Sequence, residues 1–442
     1  MHPATSLALV ALSSVSPSGG SDWPQFRGPR GTGVVPEAAI PLEWSETQHV
    51  AWKAEVPGQG WSQPVAMKGT VFVTTAVGEE LEAPMGMAAG VADPRTMKAG
   101  TAPEVTIDWR VLALDLATGK EKWSVSAARG EPKFPIHPSN TYATETPAAD
   151  ADGVYAYFGA TGTLAAYDHA GKPLWKAELG AYPVVQGYGT ASSLALHQGR
   201  LFVQCFNAEQ AFLACFDTHG GKELWRVKHE KPATSWSSPL VWHNAKRVEL
   251  VASCGKLMTS HDPASGKELW RVAGVQGPSS CSFGADEERL YFGQTSPGGN
   301  PPLYALTAGS DGDLSPAQGS SDLKGQAWVA RSASPGTPSP VVVDGLLYIA
   351  SETLLTCRDA STGEQIYKER VPDMVTIIAS PIVVGDKLLL LDEEGRAAIV
   401  QAGPEFQLVG HGKLDDLFWS TPAVAGDALL LRGAERLYCI RR

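Results

Sequence analysis

A tryptophan followed by a serine recurs at one point of a repeating pattern, as Trp61-Ser62, Trp236-Ser237 and Trp419-Ser420. Indoles brought together around an axis would offer flat stacking surfaces, each with an N–H, to a planar ring, a sugar or an inserted peptide side chain. The same rings would serve equally as wedges between neighbouring structural units. The stretch Phe134–Glu145 is the polar counterpart, with His137, Asn140, Tyr142 and Glu145 crowded into a short loop. A glutamate there would orient a ligand or hold a cation. Alternatively Asn140 and Glu145 satisfy loop backbone groups, and His137, preceding a proline, shapes the loop. Glycoside hydrolysis needs paired inward carboxylates. Only Glu145, Asp108 and Asp392 are candidates.

Other motifs fail on their spacing. Gly187-Tyr188-Gly189 lacks the third glycine of a dinucleotide loop. Asp150-Ala151-Asp152-Gly153 and Asp311-Gly312-Asp313 lack the remaining ligands of a calcium loop and read as turns. No catalytic residues and no metal ligands can be assigned. The six cysteines, Cys205, Cys215, Cys254, Cys281, Cys357 and Cys439, show no metal spacing and sit in or beside apolar strands as small buried hydrophobes. Cys205 and Cys215 flank one hairpin, where a disulfide is conceivable without being favoured.

The elements that position these residues come from a unit repeated about eight times. A small residue, usually with proline, opens an apolar strand; a second strand, an Asp-ending strand, a glycine turn and an aromatic-centred strand follow. In the fourth repeat this reads Ser238-Pro239-Leu240-Val241, Val248–Val251, Leu257–Asp262, Ser265-Gly266-Lys267 and Glu268–Val272. Four short strands at a period of roughly 40–50 residues mark a β-propeller blade. The closing aromatics run Trp123, Trp175, Trp225, Trp270, Trp328, Tyr367 and Phe406. An eighth, Trp52 within Ala51–Val56, stands at the front, and the last repeat ends where its own aromatic strand is due. The expectation is an all-β, eight-bladed propeller of four-stranded antiparallel blades. Its N-terminal strand closes the ring, leaving no incomplete blade. Strand openings are expected at Ser62-Gln63-Pro64, Thr146-Pro147, Ser192-Ser193, Ser238-Pro239, Ser280-Cys281, Ser339-Pro340, Ser380-Pro381 and Thr421-Pro422. Two insertions, Glu79–Val105 and Ser296–Pro302, fall between second and third strands, on the same face as the tryptophan loops.

A net charge of -11 argues against nucleic acid as a partner. No apolar run reaches the length of a transmembrane helix. Residues 1–21 read as a leader, a degenerate secretory signal or a disordered tail, without Lys or Arg in its first segment. No cysteine precedes Cys205, so this stretch offers no cysteine for lipid attachment. Residues 22–442 are expected to form one domain.

The repeat Leu112-Ala113-Leu114-Asp115-Leu116-Ala117-Thr118-Gly119-Lys120-Glu121-Lys122-Trp123 resembles those of the PQQ-like β-propeller superfamily, which includes quinoprotein alcohol dehydrogenases and a propeller of the outer-membrane assembly machinery. Asp22-Trp23-Pro24-Gln25-Phe26-Arg27-Gly28-Pro29 and His137–Pro147 resemble segments of a bacterial branch of it. The resemblance implies export, to the periplasm or beyond, with a cytoplasmic location as the alternative. It also implies a binding or scaffold role and peripheral association with an envelope complex. The quinoprotein enzymes carry adjacent paired cysteines, a calcium set and often a haem motif, all missing here. No cofactor is therefore expected, and pyrroloquinoline quinone is disfavoured. The leading expectation is an exported non-catalytic propeller that recognises a protein or small ligand on its loop-rich channel face. A degenerate quinone-binding oxidoreductase and a carbohydrate-active propeller are the alternatives.

Overall fold

The computed structural model describes residues 22–36, 38–87, 101–294 and 301–442. The expected leader therefore lies outside the described residues, as do much of the first insertion and most of the second. Among the described residues there is no α-helix, and a 3-10 turn stands at Val185–Gly187. The strands gather into eight sheets. Sheet 1 spans Val65–Gly130, sheet 2 Ala148–Glu178, sheet 3 Ala195–Lys228, sheet 4 Leu240–Ala273, sheet 5 Gly284–Ala330, sheet 6 Val341–Arg370 and sheet 7 Ile382–Lys413. Sheet 8 joins Ala423–Ala425, Ala428–Arg432 and Arg436–Ile440 to Val50–Glu55, which pairs antiparallel with the last of them. The chain is a β-propeller.

Neighbouring sheets meet across apolar clusters. Phe72, Trp109 and Phe158 pack between sheets 1 and 2, Phe202, Leu213 and Leu250 between 3 and 4, and Leu389, Phe418, Leu430 and Val71 across 7, 8 and 1. One local device recurs. The third strand places a small residue opposite the aromatic of the fourth: Ala113 faces Trp123, Ala166 faces Trp175, Cys215 faces Trp225, Cys357 faces Tyr367 and Cys439 faces Trp52. The indole then docks on the turn of the next sheet. Trp52 donates to Leu116 O at 3.0 Å, Trp123 to His169 O at 2.9 Å and Trp175 to Thr218 O at 2.7 Å. Trp225 and Trp328 do the same toward Pro263 O and Ala360 O. The turn glycine lies flat on that indole. At Gly221, φ is +66° and a Cβ would come within 2.4 Å of Trp175, so both backbone and packing demand glycine.

Two details differ from the sequence expectation, and a third decides an option it left open. Trp270, in the repeat that reads most cleanly, does not dock on its neighbour. It donates to the buried carboxylate of Glu249 in its own sheet at 2.6 Å, and Trp242 makes the bond to sheet 5 instead, through Asp286 O at 2.7 Å. The freed edge carries an extra parallel strand, Gly312–Asp313. Phe406 lies in the turn before Leu408–Lys413, not in that strand, and meets Tyr367 edge-on at 6.0 Å. Cys205 and Cys215 are not partners: Cys205 faces Phe212, Cys215 faces Phe202, and both thiols are free and buried. An opening offset of three residues on each strand separates them.

Candidate functional site

The inner wall of the site is a circle of hydroxyls. In sheets 2 to 8 the innermost strand is preceded by a serine or threonine that accepts the backbone N–H of the matching residue in the preceding sheet, and in sheet 1 that position is Gln63. Gln63 N donates to Thr146, Thr146 N to Ser193, Ser193 N to Ser238, Ser238 N to Ser282, Ser282 N to Ser339, Ser339 N to Ser380 and Ser380 N to Thr421, at 2.9–3.2 Å. The run returns to its start through the Gln63 amide, which donates to Pro422 O at 2.5 Å. The fifth opening is thus Ser282, two residues after the expected Ser280-Cys281. Arg432 reinforces this seam. It is fully buried, donates to Ser62 and to Thr74 O, and burial lowers its pKa to about 9.

The floor comes from the N-terminal segment, which crosses the opposite face of the sheets. Trp23 bridges to Ala66 of sheet 1, Pro24 O accepts from Ala149 of sheet 2, and Gln25 accepts from Leu196 N of sheet 3. Val34–Val35 then pairs parallel with sheet 7. Between these anchors Phe26 lines the cavity from below. Behind it Arg27, 1 % exposed, donates to Phe283 O at 2.8 Å, Pro340 O at 2.6 Å and Thr32 O at 2.9 Å, while Gln63 Oε1 receives its backbone N–H. Burial lowers its pKa to about 10, which leaves it a cation at neutral pH. Arg27 thus ties the openings of sheets 1, 5 and 6 together behind Phe26.

The mouth is aromatic. Trp61 and Trp419 stack at 6.1 Å, and His137, Tyr188 and Trp236 form a second arm, with His137 on Tyr188 at 4.8 Å and Tyr188 edge-on to Trp236 at 5.5 Å. All five line a single cavity of about 500 Å³ together with the hydroxyl circle. The indoles present faces only. Trp61 donates to Ser139 O at 2.8 Å, Trp236 to Gly189 O at 2.7 Å and Trp419 to Glu393 at 3.3 Å. The expectation that they would offer N–H groups to a partner is corrected on this point. The described end of the first insertion reaches the rim, where Met87 N donates to Glu393 at 2.7 Å and Met85 N to Pro138 O at 2.9 Å.

The family model of the outer membrane protein assembly factor BamB matches residues 42–181, 160–280 and 253–403, which together span most of the chain. The chain belongs to this family. A BamB from Burkholderia pseudomallei is 26% identical over 210 residues, 47% of this chain and 51% of that protein, so the match spans about half of the relative. Among solved structures, BamB from Moraxella catarrhalis superposes with a TM-score of 0.57 at 13% identity, over 88% of this chain and 99% of that one. A europium-containing methanol dehydrogenase gives 0.62 at 11% identity, over 94% and 90%. The quinohemoprotein alcohol dehydrogenase from Comamonas testosteroni gives 0.59 at 12%, over 95% and 80%. At these identities the structural likenesses establish the fold alone.

Within this BamB-family propeller, Trp61, Trp236, Trp419, His137 and Asn140 line the cavity. Asn140 is fully engaged, donating to Tyr188 O at 2.6 Å and accepting from Thr141 N and Thr144. It builds the loop, the second of the two roles expected for it. His137 Nδ1 is held by Ser139 at 2.7 Å, and desolvation lowers its pKa, so the imidazole is neutral at pH 7. Tyr142 and Glu145 are not in the cavity. Tyr142 packs edge-on against Trp109 and donates to Phe134 O. Glu145, 1 % exposed, accepts from Gly159 N at 3.0 Å in a separate void of about 20 Å³, room for one water. Burial raises its pKa. Asp392 is buried as well, accepting from Val375 N, and Asp108 pairs with Arg110 at the far end of sheet 1. These three carboxylates do not converge. Tyr188, Phe26 and the hydroxyl circle were not foreseen; only the hydroxyls left a signal, a Ser or Thr before each inner strand.

The quinone cofactor of the quinoprotein propellers finds no fitted partners in the cavity. Its described lining residues include no Asp, Glu, Lys or Arg to hold a metal or to meet a quinone's carboxylates. Among the described residues no three His, Cys, Asp or Glu side chains gather as a metal-ligand set.

Proposed function

We propose that this protein is an exported, non-catalytic binding or scaffold propeller that recognises a protein or small ligand through its aromatic-mouthed cavity. The observation that carries this reading is the cavity itself, faced with aromatic rings and Ser/Thr hydroxyls, with no acidic or basic side chain among its described lining residues apart from a neutral His137. The eight sheets are taken as eight blades of one ring. The hydroxyl relay that returns to Gln63 and the pairing of Val50–Glu55 with Arg436–Ile440 support closure by the N-terminal strand. Family membership supports export and peripheral association with an envelope assembly complex. No helix of the described residues is long and apolar enough to cross a membrane.

Photo-crosslinkers placed in living cells at Ser280, exposed on the rim, and at Gln198, exposed in a turn of the opposite face, test the reading. Adducts are expected from Ser280 and not from Gln198, in a periplasmic fraction. Adducts from Gln198 alone, or a protein confined to the cytosol, would refute it.

A further inference from the structure

The donors left in the cavity narrow its ligand further. Each hydroxyl of the circle uses a lone pair to accept a neighbouring backbone N–H, and among the described residues none gives its proton to a protein acceptor. That leaves Thr146, Ser193, Ser238, Ser282, Ser339, Ser380 and Thr421 as O–H donors around one cavity of about 500 Å³. Each hydroxyl also keeps a second lone pair, so the circle can both donate and accept. Above it stand indole faces whose N–H groups are engaged elsewhere, which offer stacking surface to an apolar face and no hydrogen bond. No charged side chain stands among the described residues that line the space.

We infer that the ligand of this cavity is a neutral saccharide, seated with a C–H face on Trp236 or on the Trp61–Trp419 pair and its hydroxyls on the Ser/Thr circle. This rests on the reading of the mouth as the binding face. Pyranose rings combine an apolar face with a rim of groups that donate and accept, the two surfaces the cavity supplies. A carboxylated ligand would find no hydrogen-bonding cation among the described lining residues. Arg27 lies behind Phe26, buried, with its two Nη groups on three backbone carbonyls, so an anion in the cavity would feel its charge at a distance only. Phe26 and the segment behind it lie across the lower side of the cavity, an arrangement that suits reading a chain terminus end-on.

The full-length protein is titrated with neutral gluco-, galacto-, manno- and xylo-configured di- and trisaccharides, with matching uronates, with pyrroloquinoline quinone and with a tryptophan-containing peptide. Saturation-transfer NMR and indole fluorescence report binding. A neutral oligosaccharide is expected to bind with a Kd of order 1 mM or below, and Trp236→Ala to weaken it about tenfold or more. Because Trp236→Ala removes a bond to Gly189, Ser280→Trp provides a second variant. It narrows the mouth from an exposed position whose side chain holds no packing, and it should block binding while the melting temperature stays put. Uronates binding more tightly than neutral sugars, or only the peptide or the quinone binding with Ser280→Trp blocking it, overturns the ligand class and leaves the site. Sugar binding indifferent to both variants overturns the site as well. No neutral sugar binding at about 10 mM overturns the inference.

Discussion

Replacing Trp52 by alanine tests whether the first strand locks the last sheet into a ring. Trp52 is 8 % exposed, its N–H reaches Leu116 O of sheet 1 at 3.0 Å, and its ring lies so close to Gly119 that a Cβ there would come within 2.6 Å. Truncating a buried tryptophan costs about 3–5 kcal/mol, of which the lost N–H bond accounts for roughly 1 kcal/mol. Trp175→Ala is the matched control, since Trp175 makes the same dock on Thr218 O between two sheets adjacent in sequence. In a closed ring the two variants lose similar stability. At about 2 °C or more per kcal/mol, each should melt at least about 5 °C below the parent. Far-UV circular dichroism and hydrogen exchange on the same samples complete the assay. Protection should fall in sheets 7, 8 and 1 together, because one apolar cluster spans them. A Trp52→Ala protein melting within about 1 °C of the parent while Trp175→Ala does not, or exchange confined to Val50–Glu55, would refute closure.

Arg27→Met should destabilise the protein by about 2–4 kcal/mol in denaturant titration, since three buried carbonyls lose their donor and relief of one buried cation offsets only part of that; an unchanged midpoint would count against the strap as a floor. Glu145→Gln should leave ligand binding at the mouth unaltered and melt at or above the parent at pH 8, the gap closing toward pH 4, because burial already favours the neutral carboxyl. A loss of binding in that variant would return Glu145 to the site. Burial lowers the pKa of His197 and His229 to about 4. The unfolded chain protonates these rings at about 6.5 while the native state keeps them neutral, so their contribution to stability falls as pH drops from about 6.5 to about 4 and is level outside that window. His229→Gln should flatten the melting-temperature profile over this range; a profile parallel to the parent's would contradict it.

The repeat was legible because every sheet solves the same local problem with the same residue types. A small residue must stand opposite an indole, a glycine must lie beneath the indole of its neighbour, and a hydroxyl must receive a neighbouring N–H. Cys215, Cys357 and Cys439 belong to that logic as small side chains facing aromatics. The exceptions lay where tertiary contacts outvote the pattern. Nothing local to Glu268–Val272 announces that Trp270 turns to Glu249, for the deciding partner is a buried carboxylate two strands away. Asp22–Gly33 has no periodicity, so its path across the opposite face was out of reach of any strand or helix pattern. Tyr188 sits just after a 3-10 turn in which Gln186 takes φ 55°, a geometry without a compositional cue. Glu145 follows the mouth loop in sequence, yet the chain turns it into a void between sheets, which proximity in sequence could not distinguish from a place in the cavity.

The division of labour inside the cavity explains why the three tryptophans could be read either as wedges or as ligand contacts. Each does part of both. Their N–H groups tie one loop to the next, Trp61 to Ser139, Trp236 to Gly189 and Trp419 to Glu393, while one face of each borders the cavity. Interlocking of this kind fixes the rings before any ligand arrives, so binding has little side-chain entropy to lose. It also means that truncation loosens the rim and removes the surface together. A loss of binding in Trp236→Ala is therefore interpretable only beside a variant such as Ser280→Trp, which fills the mouth and breaks none of these bonds.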